Sequence, residues 1–334
     1  MASFLNNEDA WPIVYIIEIC LSSLGIAGSI FVLFVFVCYP SLRTWPFELV
    51  AYLSLSSTIN SFSYILYYFE DPLNLQDEIK CKIQAFIMIW FENSQFIWAM
   101  LIGYSIYECI VVFKDEFEVT YCKRIGYLFL GFIIPLGFSL LGFFLDYLGP
   151  TGNWCWIGEF TKPPQGMKFS KELKLSTGVR VASGLLISFC IIVILLNWYF
   201  IYSTIKSLKI EYQNTEVRLM VKGYINKISL FPLIQTICMF PSIVNKFFLF
   251  FQLEFVFLNI LQTLFVSSQG CFYALTYGCN TKVKLALKKT VGKLCCRPDL
   301  EKSKSFSSDS CNELNNSNRM IEELLDNYPN IMKK

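Results

Sequence analysis

Residues 175–205 read LSTGVRVASGLLISFCIIVILLNWYFIYSTI, and from Val181 onward the stretch holds no charged side chain. An α-helix rises about 1.5 Å per residue, so roughly 20 such residues cross a bilayer core about 30 Å thick. A helix that is apolar on every side has no face to turn toward water. Six more stretches read the same way, so the spans are Trp11–Cys38, Pro46–Phe69, Cys81–Phe113, Ile125–Leu148, Leu175–Ile205, Val221–Phe250 and Phe255–Tyr277. The expected fold class is all-α, an integral membrane bundle of seven transmembrane helices over residues 11–277. The third, fifth and sixth spans exceed the minimum length and are expected to tilt or project beyond the membrane. Pro46 suits a first helical turn, whereas Pro135, Pro232 and Pro241 lie inside helices and are expected to kink them.

Composition supports lipid as the solvent. Hydrophobic residues make up 54% of the 334 residues and charged residues 16%, where a soluble chain carries about 25% charged. The chain has 13 Cys and no His. Without His there is no Ser-His or Cys-His dyad, no His-based zinc site and no common proton shuttle. Neither a phosphate-binding glycine loop nor a zinc-type cysteine pairing occurs, so enzyme readings start weak, and neither a metal nor a cofactor is expected. No internal repeat is visible, which weakens inverted-repeat transporter readings.

Lys and Arg near the span ends set the expected orientation. Arg43, Lys114, Lys123, Arg124, Lys206, Lys209, Arg218, Lys222 and the cluster Lys282–Arg297 fall on one side, against Lys80, Lys82, Lys162, Lys168, Lys171 and Lys174 on the other. The richer side is read as cytoplasmic. That leaves residues 1–10, with Glu8 and Asp9, as a short extracellular N-terminus and makes the chain a multi-pass plasma-membrane protein. The first span is too long for a signal-peptide core and is read as retained. After the seventh span, residues 278–297 are read as a cytoplasmic amphipathic helix 8, in which Lys282–Lys293 alternate with Val283, Leu285, Leu287 and Val291. Cys295 and Cys296 follow, either palmitoylated or unmodified thiols. Residues 298–334 read as a disordered tail in which Ser303, Ser305, Ser307, Ser308 and Ser310 are either phosphorylation sites or plain flexible filler.

Two cysteines stand apart from those inside apolar runs. Cys81 opens the third span and Cys155 sits in the loop before the fifth, both on the oxidising side, so a disulfide pinning that loop over the bundle mouth is expected.

That loop reads Gly152-Asn153-Trp154-Cys155-Trp156-Ile157-Gly158. The third span carries Trp98 and then S-I-Y-x-x-I-V, from Ser105-Ile106-Tyr107 to Ile110-Val111. The sixth holds Lys227, Cys238, Val244 and Asn245-Lys246. Together these resemble the class E G-protein-coupled receptors, the cyclic AMP receptors of social amoebae and their receptor-like relatives. The resemblance covers the seven-span region and implies a GPCR-like bundle signalling to a heterotrimeric G protein. It also makes a cyclic nucleotide or another anion a candidate ligand. Two departures bear on the activation switch: Met239 follows Cys238, where those receptors have Trp, and the seventh span ends Tyr273-Ala274-Leu275-Thr276-Tyr277, without N-P-x-x-Y.

Ionisable residues inside a membrane are costly and mark function by default. Glu92 lies in the third span, Arg180 early in the fifth and Lys246 near the outer end of the sixth. One reading has Arg180 and Lys246 recognise an anionic or strongly polar ligand. Glu92, Asn93 and Gln95 then form a polar floor, and Asn245, Trp154 and Trp156 stand alongside. The other has Lys246 snorkel to the interface and Glu92 pair with a neighbouring helix. At the inner end, Glu108 beside Tyr107 is read either as an ion pair with Lys227 that holds the sixth helix inward or as one of two interfacial charges. In the first case, movement hinged near Pro232 and Pro241 opens a groove for the G protein.

The leading function is therefore a cell-surface receptor for an extracellular small molecule, embedded in the lipid bilayer, binding no nucleic acid and making or breaking no covalent bond. The alternative is a seven-span transporter or channel, which predicts a polar path through the whole membrane. A retinal-binding opsin is disfavoured because Phe255–Tyr277 holds no Lys for a Schiff base.

Overall fold

The computed structural model describes residues 11–43, 45–66, 78–112, 119–150, 155–158, 177–211, 215–251, 253, 255–280, 283–284 and 286–287. Among these the chain forms seven long helices: α1 (Trp11–Cys38), α2 (Trp45–Leu66), α3 (Glu78–Tyr107, extended by a π-helical turn over Glu108–Val112), α4 (Tyr121–Phe144, π-helical over Phe129–Ile133), α5 (Thr177–Glu211), α6 (Thr215–Phe250) and α7 (Val256–Gly278). A two-stranded antiparallel hairpin, β1 (Leu148–Pro150) with β2 (Cys155–Ile157), sets Leu148 opposite Ile157 and Pro150 opposite Cys155.

Five of these helices, α1, α3, α4, α5 and α6, are long and apolar enough to cross a membrane. The helices expected as the second and seventh spans also form, as α2 and α7 with 22 and 23 residues, and both carry many polar side chains. Ser54, Ser56, Ser57, Asn60, Ser61 and Ser63 on α2 are buried, as are Asn259, Gln262, Thr263, Ser267 and Gln269 on α7. Outward faces are the reverse. Leu24 and Phe34 on α1, Leu141 and Phe144 on α4, and Leu185, Ile192 and Leu195 on α5 are exposed. Apolar outside and polar inside is the pattern lipid demands, because interior polar groups find partners on neighbouring helices.

Small residues set the closest crossing. A Cβ on Gly25 would overlap the Ser267 carbonyl, and one on Gly270 would overlap the Gly25 carbonyl, so α1 and α7 touch backbone to backbone. Ser22 Oγ donates to Ser267 Oγ at 3.0 Å beside that contact.

The centre of the bundle is α3, 78% of whose membrane-length window is buried, against 22% for α4. The widened turn of α4 lies just ahead of Pro135, whose ring lacks an N–H and crowds the carbonyls before it. The Phe132 carbonyl there accepts a bond from Trp90 Nε1 at 2.9 Å, and Trp98 lies against Gly131, where any Cβ would overlap its indole. The helix α6 runs unbroken through Pro232 and Pro241.

The fourth span was expected to reach Leu148, but α4 stops at Phe144. Asp146 takes a positive φ of 60°, a conformation Asp tolerates better than most residues, and the chain turns back into β1. Lys82 Nζ, on α3, pairs with Asp146 Oδ1 at 2.5 Å and fixes that turn. Of the amphipathic segment expected after α7, residues 283–284 and 286–287 are helical. Residues 281–282, 285 and 288–297 of that segment, Cys295 and Cys296 among them, the N-terminal ten residues and the serine-rich tail lie outside the described residues.

Candidate functional site beneath the hairpin

Cys81 in the first turns of α3 is disulfide-bonded to Cys155, with Cα atoms 5.3 Å apart. The bond ties β2 down onto α3, and the next residue, Trp156, is driven inward to 3% exposure. Its indole ring lies over Lys246 of α6, whose Nζ is 4.4 Å from the ring centroid. Lys246 Nζ is ion-paired with Glu92 Oε1 of α3, and Ser242 Oγ donates to that same oxygen at 3.2 Å. The carboxylate therefore ties α3 to α6, while the hairpin caps the ammonium from above.

Around this pair lies a narrow cleft lined by Glu92, Asn93, Phe96, Trp156, Leu186, Ile187, Cys190, Ile243 and Lys246. Its walls are so close that little more than one water fits between them. Asn93 is held in place on both sides: its Nδ2 donates to the Ile89 carbonyl at 2.6 Å, and its Oδ1 accepts from Cys190 Sγ at 3.5 Å.

The run Glu92-Asn93-Ser94-Gln95 is buried throughout. Successive helical residues point about 100° apart, so four polar neighbours in sequence cannot share one face. Glu92 therefore meets α6 and Asn93 meets α5, while Gln95 lies outside the cleft lining with neither amide atom hydrogen-bonded. Asn245 also turns away, donating through Nδ2 to Asn259 Oδ1 at 2.7 Å and Gln262 Oε1 at 2.8 Å, so it joins α6 to α7.

Arg180 is the main correction at this end. The buried stripe of α5 runs Val179, Ser183, Leu186, Cys190, Val193 and Asn197, and Arg180 stands at its edge, exposed, in the first turn. It is absent from the cleft. Trp154 lies outside the described residues. Lys246 is buried against Glu92 and does not snorkel.

A second cluster sits at the opposite end of α3. Glu108 Oε1 pairs with Lys123 Nζ at 2.5 Å, and Glu108 Oε2 accepts from Tyr127 Oη at 3.4 Å, both from α4. Its ion-pair partner is thus on α4, not the Lys227 that the sequence suggested; Lys227 is half-buried on α6. Arg124 pairs with Glu48 of α2 at 3.4 Å, Tyr52 Oη donates to Glu48 Oε1 at 2.9 Å, and Trp45 Nε1 donates to Ser105 Oγ at 2.9 Å. Tyr107 rests its ring against Phe200 of α5 at 5.5 Å. Between the two charged sites, α3 buries Phe96, Ile97, Trp98, Ala99, Leu101 and Ile102, a packed apolar layer.

The sequence reading missed Glu18, which is 2% exposed on α1, and the Glu48–Arg124 pair. The rule applied to Glu92, that an acid inside an apolar helix needs a reason, would have found Glu18. Among the described residues no group of His, Cys, Asp or Glu could hold a metal ion.

A family model of the slime mold cyclic AMP receptors matches residues 5–289. Among curated proteins, the chain is 28% identical over 140 residues to cyclic AMP receptor-like protein A of Dictyostelium discoideum, 42% of this chain and 36% of that protein. It is 26% identical over 148 residues to latrophilin receptor-like protein A of the same organism (43% and 44%), and 27% identical over 135 residues to G-protein coupled receptor 1 of Arabidopsis thaliana (40% and 39%). The chain thus spans less than half the length of the curated relatives it matches. All three are named as receptors or receptor-like proteins, not as enzymes. The chain belongs to the slime mold cyclic AMP receptor family.

Proposed function

We propose that this member of that family is a G-protein-coupled receptor of the cyclic AMP receptor-like type. It crosses the plasma membrane seven times, with the hairpin end outside and the Glu108 end facing a heterotrimeric G protein. The observation that carries the reading is the buried Lys246–Glu92 pair, which joins α3 to α6 directly under the tethered Trp156. A buried pair is weak support for stability, since two charges must give up water for one attraction. It is a strong device for recognition, because a polar ligand that engages either partner releases α6 from α3.

The consequence reaches the other end because α6 is one helix from Thr215 to Phe250. Loosening it beneath the hairpin lets it move as a rod, with Pro232 and Pro241 as the places where it bends most easily. The ligand then shifts a two-state equilibrium by its preference for the released state. The inner docking surface would comprise the loop after α5, the start of α6 and the basic stretch Lys282–Lys293. The helix after α7, lipidation at Cys295 and Cys296, and phosphorylation of the tail serines belong to the same proposal.

The absence of any internal repeat in the sequence weighs against the transporter alternative. The test is G-protein dissociation in cells expressing the chain, challenged with cyclic nucleotides, folates, amino acids and peptides. One class is expected to trigger dissociation, and Lys246→Gln at equal surface level is expected to abolish it. Ion or solute flux with no G-protein response to any class would overturn the reading.

A further inference from the structure

Resting on the reading that the Glu108 end faces the cytoplasm, we infer that Thr120, the residue just ahead of α4, is a phosphorylation site. A phosphate there releases the ion pairs that tie α4 to α2 and α3.

The first reason is which cations stand beside it. On a helix, side chains three and four positions apart are neighbours, so Lys123 and Arg124 are the cations nearest Thr120 along α4. They are also the two that reach across to other helices. Lys123 Nζ pairs with Glu108 Oε1 of α3 at 2.5 Å, and Arg124 Nη1 pairs with Glu48 Oε2 of α2 at 3.4 Å. A phosphate brings nearly two negative charges and three acceptor oxygens, against one charge for each carboxylate. It competes for both cations from their own helix. The Arg124 side chain is 47% exposed and that of Lys123 20%, so neither is sealed in place as Lys246 is. Once both turn, Glu108 keeps the bond from Tyr127 at 3.4 Å and Glu48 that from Tyr52 at 2.9 Å. The ion pairs between α4 and its neighbours are then gone.

The second reason is access. Thr120 is exposed and its hydroxyl makes no capping hydrogen bond, although its carbonyl already accepts from the Arg124 N–H at 3.2 Å. Its backbone is extended, with φ −67° and ψ 154°, and Tyr121 after it is 76% exposed. The hydroxyl is therefore presented on open chain while the main chain behind it is fixed. The residues leading in are acidic, Asp115-Glu116-Phe117-Glu118. A kinase whose substrate groove is basic ahead of its reacting centre complements that run.

The step is a phosphoryl transfer from ATP by a serine/threonine kinase. Thr120 Oγ1 attacks the γ-phosphorus, the bond from that phosphorus to the β-phosphate oxygen breaks, and ADP leaves. The hydroxyl proton passes to the kinase's base, and a phosphatase restores the hydroxyl by hydrolysis. The modification acts at the end of α3 opposite the hairpin, so it adjusts the inner surface and leaves the Lys246–Glu92 pair as it is.

The experiment uses the full-length chain expressed in slime mold cells and purified with phosphatase inhibitors present. Trypsin releases Asp115–Lys123 as one peptide, and its fragmentation separates Thr120 from Tyr121. Phosphate is expected on Thr120. The state of the ion pairs is read by the labelling rate of Cys109, half-buried on the π-helical turn that carries Glu108, with a small thiol reagent. Thr120→Glu is expected to label about fivefold faster than Thr120→Val, the equivalent of one charge-assisted bond lost. Phosphatase treatment of the wild type is expected to slow labelling. In a Lys123→Ala/Arg124→Ala background the Thr120 substitutions are expected to make no difference, because the added charge has no cation to capture. A peptide without phosphate, or with phosphate on Tyr121 alone, would overturn the inference. So would Cys109 labelling that ignores Thr120, or that responds equally in the double-alanine background. Each of these results leaves the G-protein response standing, whereas loss of that response with Thr120 phosphorylated would sink the receptor reading alone.

Discussion

The two charged sites on α3 use the same chemistry in opposite ways. Beneath the hairpin a single pair, Lys246–Glu92, is sealed under an indole and reached by one serine hydroxyl. At the far end charge is spread over Glu48, Glu108, Lys123 and Arg124, with tyrosine and tryptophan between them, and Arg124 is 47% exposed. The sealed pair cannot lose a partner without leaving a naked charge, which makes it a trigger. At the far end each carboxylate keeps a tyrosine hydroxyl when its cation is lost, which makes the network a clamp holding α2, α3 and α4 together. A receptor needs both: one place where a small event is costly to ignore, and one surface that stays put as another moves.

If burial is what separates the two sites, Lys246→Met should be the most damaging change, costing about 3–5 kcal/mol, because Glu92 then stays buried with only Ser242 for company. The double variant Glu92→Gln/Lys246→Met should recover most of that loss, and thermal unfolding of the two proteins in detergent would show it. Equal instability in single and double variants would mean the pair is not the isolated unit described. Next in size, Cys81→Ser should cost about 2–4 kcal/mol by freeing the loop that the disulfide closes. It should also expose Trp156, so its fluorescence should become quenchable by an aqueous quencher. No comparable tether exists among the described residues at the Glu108 end, so mild reduction should affect ligand response while leaving the Glu108 network intact.

What could be read from the chain beforehand follows the same divide. Apolar runs of bilayer length placed each helix, with ends off by up to six residues, since lipid leaves so few alternatives to a continuous helix. One miss in extent, the end of α4, turned on Asp146, a residue whose tolerance for positive φ no hydropathy pattern records. Sealed charge was legible too: Glu92 and Lys246 stood out as ionisable residues inside membrane-length apolar spans. Their pairing was not, because it depends on which face of α3 meets α6, and four consecutive polar residues leave that open. Arg180 was misplaced for a related reason, since one position along α5 separates it from the buried Val179. The open network was illegible because Lys123 and Arg124 look like any loop charges that set orientation. Only the fold brings them to Glu108 and Glu48.

Within that network the comparison sharpens to two adjacent residues. Lys123→Ala removes the partner of a carboxylate whose side chain is 7% exposed, leaving Glu108 only the longer bond from Tyr127, and should cost about 1–3 kcal/mol. Arg124→Ala removes an ion pair at 3.4 Å made by a half-exposed guanidinium and a contact 5.6 Å from the Trp45 ring. Glu48 keeps its bond from Tyr52, so the loss should not exceed about 1 kcal/mol. Salt separates the two classes further. Raising ionic strength should shrink the Arg124 effect toward zero, because an exposed pair is screened, and leave the Lys246 effect nearly unchanged, because no counterion reaches a sealed one. Unfolding midpoints of the wild type and both variants, taken at low and high salt, would decide it. If Arg124→Ala proved as costly as Lys246→Met, or as indifferent to salt, exposure would not be what distinguishes trigger from clamp, and the division of labour between the two ends of α3 would have to rest on something other than access to water.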